Sequence, residues 1–164
     1  MREDRNSPCP PPLSTALEPR TVPSHQSLPT SSMPSATEIR VPISPGELID
    51  KITILQIKSE RITDAQKVAN VRTELALLEE TWRNSPGSTV DIDAEWAALR
   101  RINEKLWDIE DRIRDKERAR SFDQEFIDLA RAVYMTNDER AAVKREINTR
   151  LGSTIVEEKS YAKY

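Results

Sequence analysis

Five polar residues fall where a helical chain should be apolar, and they constrain this sequence more than any other feature. Projected at 100° per residue, Asn103 and Glu110 lie inside the apolar arc of one predicted helix. Arg140 and Lys144 lie near the centre of the arc of the next, with Asn137 beside them. Desolvation costs several kcal/mol per ion. Such residues must therefore pair with one another or with a ligand.

The arcs are built from 3-4 spaced apolar residues. Trp96, Leu99, Ile102, Leu106, Trp107, Ile109 and Ile113 predict a helix from about Asp93 to Ala119. Phe122, Phe126, Leu129, Val133, Ile147 and Leu151 predict another, started by Ser121-Phe122-Asp123-Gln124 and ended by Gly152. Val68, Val71, Leu75, Leu78 and Trp82 form a third stripe, separated from the next helix by a loop over 84–91 that contains Pro86-Gly87. The earliest stretch, LIDKITILQIK, alternates enough to pass for a strand. Ser44-Pro45-Gly46-Glu47 decides for helix, with an N-cap Ser, Pro at the first position and Glu three residues on. Its apolar residues cover nearly the whole circumference, so this helix is buried on several sides or dimerises. Thr63-Asp64-Ala65-Gln66 is a second capping box, and the first two segments form either two helices or one long one.

The expected fold is therefore all-α. It is an antiparallel up-down bundle of three long or four shorter helices, with an extended segment after Gly152. Only 3 Gly and 5% aromatic residues fit that class. Residues 1–37 hold eight of the 11 prolines and little apolar periodicity, which reads as a disordered tail ahead of a domain at 38–164. Met33 stands just before the patterned region and is the expected true initiator.

Composition removes several function classes. The only Cys is Cys9 and the only His is His25, both in the tail, so thiolate metal sites, zinc sites and His-dependent catalysis are not expected. A net charge of -3 gives no argument for nucleic acid or an anionic membrane, and no apolar run reaches bilayer length. The acidic row Glu104, Asp108, Asp111, Asp115 invites comparison with helical nucleotide pyrophosphatases. Its spacing lacks their paired Glu-x-x-Glu, and Arg112, Arg114 and Lys116 make it a salt-bridged face. No cofactor and no metal are expected.

The polar layer carries the candidate site. Folding the predicted hairpins brings Glu74, Asn103, Asn137 and Arg140 to one height, with Lys51 close by if the first helix folds back at Asp64. One reading is a buried Glu74–Arg140 network whose Asn103 and Asn137 fix register. The other is a pocket where Arg140, Lys144 and Lys51 bind a small anion. Lys144 could also lay its stem along Trp96 and keep its ammonium wet.

The segments SPGELIDKITILQIKSERI, ANVRTEL, NEKLWDIEDRIR and the ending VEEKSY resemble a family of short bacterial proteins with a domain of unknown function. The resemblance spans about Arg40–Tyr161. It implies a bacterial cytoplasmic protein and a loose association with glycosyltransferases and surface polysaccharide. It also singles out Glu157, Glu158, Lys159 and Tyr161 as an interaction segment, docking on the protein itself or offered to a partner. The expected function is a non-catalytic scaffold, a homodimer through the first helix, with a protein partner such as a glycosyltransferase. The alternative is an anionic-ligand site or cofactor-free enzyme, in which Arg, Lys and Glu inside the helices act electrostatically, as in chorismate-mutase-like bundles.

Overall fold

The computed structural model describes residues 39–160, and these are all-helical, with no strand among them. The expected tail at 1–37, Met33 as initiator and the placement of Tyr161 lie outside the described residues. The segment from Ile39 to Ile43 has no regular structure and is exposed.

Helix α1 runs Pro45–Arg61, α2 Ala65–Arg83, α3 Asp93–Ala119 and α4 Gln124–Arg150. The start of α1 follows its capping box: Ser44 accepts a hydrogen bond from the Glu47 amide at 3.3 Å, and Pro45 occupies the first turn. The chain breaks after α1, where Ile62 is extended. The cap of α2 is Asp64, one residue later than the Thr63 box implies, and its carboxylate accepts from the Lys67 amide at 2.8 Å. A short 3-10 turn, Pro86–Thr89, leads into α3.

Ion pairs set the register of α3 against α4. Glu95 pairs with Arg150, Lys105 with Glu139 at 3.3 Å and Arg112 with Glu125 at 2.7 Å. Numbers rise along one helix as they fall along the other, so the two form an antiparallel hairpin. Arg120 turns the corner in the left-handed region at φ 53°, a conformation more common for Gly or Asn. Asp123 then caps α4. Its carboxyl is pulled down to about 2 by the Lys116 ammonium, the Phe126 amide and the Ser121 hydroxyl.

Helix α1 is the centre of the fold. It packs against α2, α3 and α4, and its Leu48, Ile49, Ile52, Leu55 and Ile57 are all buried. That accounts for an apolar circumference without a second copy. Ile49, Ile92, Leu99 and Ile147 form the core, flanked by Trp82, Trp96, Val143 and Leu151. Helix α2 lies along α1 and has no buried residue, so its apolar stripe is only half covered. Its last turn brings Trp82 to 5.9 Å from Trp96.

Helices of 27 residues reach about 40 Å and one of 17 about 25 Å. Helix α1 ends with Arg61 paired to Asp108, little more than halfway along α3. Past that level the described helices α3 and α4 have only each other, and the last buried residue of α3 is Ile109.

Candidate functional site

The polar residues converge on the first half of α1. Gly46, in its first turn, sits so close to α4 that an added Cβ would lie 2.5 Å from the Lys144 carbonyl oxygen. The approach lets the Gly46 amide donate to Asn148 Oδ1 at 2.7 Å, satisfying one of the free amides of a helix start. One turn on, Asp50 and Thr53 face α3. Asn103 Nδ2 donates to Asp50 Oδ1 at 2.8 Å and to Thr53 Oγ1 at 3.0 Å, and the Thr53 hydroxyl donates to the Asp50 carbonyl at 2.9 Å. All three side chains are buried.

Lys144 closes the cluster. Its Nζ lies 2.6 Å from Glu47 Oε2 and 2.7 Å from Glu157 Oε2. Burial pulls the ammonium down, but hydrogen bonds to Glu157 and Glu47 outweigh it, and the group ends above its ordinary value. Glu157 is lowered in turn, first by the Lys144 hydrogen bond and against its own burial. Lys159 donates to the Asn137 carbonyl oxygen at 3.1 Å and reaches Asp138 at 3.6 Å. The segment after Gly152 thus runs back along α4 and is pinned at two points.

The structure redistributes the expected site. Asn103 and Lys144 are buried as projected, although Lys144 holds two carboxylates and has no wet ammonium along Trp96. Asn137 is half-buried and serves through its carbonyl. Glu110 is half-buried and pairs with Arg114 at 2.8 Å. Lys51 and Glu74 are corrections, because both are exposed. No Glu74–Arg140 pair forms among the described residues. Such a pair needs α2 beside α4, whereas α2 packs on α1 and α1 takes the central place. Arg140 is half-buried; it makes no hydrogen bond and no ion pair with a described residue, though its charge helps lower Glu157. Glu158 is exposed.

Sequence reasoning missed Gly46, Glu47, Asp50, Thr53 and Asn148. Asp50 and Thr53 carried a signal: two small polar residues at i and i+3 in an otherwise apolar helix share one face. A second buried carboxylate, Glu95, opens α3. Its own backbone amide and then Arg150 hold it below the usual range, and Arg150 also donates to the Asp91 carbonyl at 2.9 Å.

Chemically, the cluster is an exchange among amide, hydroxyl, ammonium and carboxylate groups with one acceptor left open. Among the described residues, two buried side-chain atoms lack a partner, Glu95 Oε2 and Asn103 Oδ1. No group of His, Cys, Asp and Glu among the described residues is arranged to hold a metal ion. No described helix is long and apolar enough to cross a membrane. A family described as of unknown function (DUF6165) matches residues 39–164. No curated protein and no solved structure matches the chain.

Proposed function

We propose that this chain, which belongs to the DUF6165 family of unknown function, is a non-catalytic helical interaction protein that holds another protein against the free half of its α3–α4 hairpin. The observation that carries this reading is the apolar surface left uncovered beyond the end of α1. Phe122, at the α3–α4 corner, and Ile127, in the first turn of α4, are exposed by 58% and 48%. Exposed apolar side chains grouped in this way mark docking surfaces more often than isolated ones do.

The polar cluster supports the same reading from the other side. Its groups bind one another, Lys144 holding Glu47 and Glu157 and Asp50 accepting from Asn103, as expected of a buried network that fixes register in an up-down antiparallel bundle. A bacterial cytoplasmic setting and a glycosyltransferase partner follow from the sequence resemblance and belong to this proposal. The homodimer expectation moves with it, away from α1 and onto the same exposed surface as a competing occupant.

Native mass spectrometry of protein gently purified from its own cells tests the reading, with Phe122→Glu/Ile127→Glu alongside. The expected result is a defined heteromeric complex with the wild type and none with the variant, at equal helicity. A complex of two copies would assign the surface to self-association. Retention of the partner by the variant would overturn the assignment.

A further inference from the structure

A cleft of about 280 Å³ opens between α1, α3 and α4, walled by Ile54, Leu106 and Trp107, with Asn103 and Arg140 contributing polar groups. We propose that it binds a small monocarboxylic acid with an apolar body and a hydroxyl or amino group beside the carboxylate.

Three features set this chemistry. Arg140 is a half-buried guanidinium engaged by no hydrogen bond or ion pair among the described residues, and a free fork of this kind is built to grip a carboxylate with two parallel bonds. Asn103 lines the cleft, is 4% exposed and spends its amide on Asp50 and Thr53, which leaves Oδ1 as a buried, unpartnered acceptor that a ligand reaches only by shifting the wall. Buried acceptors of native proteins are nearly always satisfied, and the O–H or N–H of a 2-hydroxy or 2-amino acid is a suitable donor. Ile54, Leu106 and the Trp107 indole supply the apolar wall.

Charge and size narrow the class. The remaining lining is Glu110, already held by Arg114, and Asp111. With Glu110 neutralised by Arg114 and Asp111 balancing Arg140, the lining sums to zero, so a single negative charge gripped by Arg140 is tolerated and a phosphate dianion is opposed. The volume falls just below the range for drug-sized sites, about 300–1,000 Å³, which suits a small ligand. Lys144 takes no part, because Glu47 and Glu157 occupy it. The site is independent of the exposed Phe122 and Ile127, so the scaffold reading and this one stand or fall separately.

The test uses the full chain and 3-phenyllactate as probe, followed by 15N-resolved NMR titration. The expected result is saturable shifts at the Trp107 indole N–H and the Asn103 side-chain amide. 3-Phenylpropanoate, which lacks the hydroxyl, should bind several-fold more weakly, and 3-phenyl-1-propanol, which lacks the carboxylate, should not bind. Arg140→Gln should weaken 3-phenyllactate at least tenfold while leaving the amide spectrum otherwise folded. Arg140→Lys, which keeps the charge and loses the fork, should lose most of the affinity and guards against a folding defect in the first variant. No shifts, shifts centred away from Trp107 and Asn103, or wild-type affinity in both variants would overturn the proposal.

Discussion

The backbone amide of Gly46 donates to the side chain of Asn148 across 102 residues of sequence, at 2.7 Å. This bond exists only because position 46 has no side chain. A methyl there would run into the Lys144 carbonyl oxygen, a backbone atom with little room to yield. Gly46→Ala should cost about 1–3 kcal/mol, the usual penalty for overpacking. Urea unfolding of the two proteins measures it. An unchanged midpoint would show that α1 and α4 are not held this closely.

Lys144 ties the start of α1 to the segment after α4, so its removal should act on both. Lys144→Met should cost about 1–3 kcal/mol near neutral pH, toward the lower end because water screens both glutamates. The pH dependence follows from the shifts. Lys144 is raised above 10.5, so its contribution is complete below that pH and fades as pH rises through the folded value. Glu157 is lowered from 4.5, so its contribution is complete above 4.5 and fades as pH falls through the lower folded value. The stability gap between wild type and Lys144→Met should therefore be widest between these limits and close outside them. Denaturant melts at acid, neutral and alkaline pH check this, and a gap independent of pH would contradict the pairing.

Arg120 is the only described residue other than glycine with positive φ. Relieving that strain at the α3–α4 corner should make Arg120→Gly more stable by about 0.5–1 kcal/mol, after the entropy that glycine adds to the unfolded chain. Differential scanning calorimetry reads the change. A lower melting temperature would mean that the arginine side chain supports the corner in some further way.

Truncation after Gly152 removes Glu157 and Lys159 together. The expected outcome is a lower melting temperature, with Lys144 left to Glu47 alone. If melting and oligomeric state were both unchanged, the segment would be free to serve a partner.

The helices were legible from the sequence because α1, α2 and α4 are announced by both an apolar stripe and a cap, and α3, which starts at Ile92 without a side-chain cap, by a long stripe alone. The span Asp93–Ala119 and the positive φ of Gly152 follow from such local signals. Their arrangement was not legible in the same way. A stripe records that a side is covered, not which helix covers it, and α2 carries a stripe although nothing in it is fully buried. That misplacement alone moved Glu74 from an expected buried pair to solvent. Asn103 and Lys144 stood out as polar residues in apolar arcs. Asp50 and Thr53 did not, since a helix apolar nearly all round offers no polar face against which they could look misplaced. Gly46 could not be read either, because close approach is a property of two helices and not of one.

Helix α1 is made first and used last. At about 5–20 residues per second of synthesis, roughly 5–20 s separate Gly46 from the Asn148 that receives its amide. Throughout that interval the most apolar helix of the chain has only α2, and then the start of α3, to lie against. The arrangement that gives the finished protein its centre thus makes the nascent chain depend on keeping that centre from sticking elsewhere.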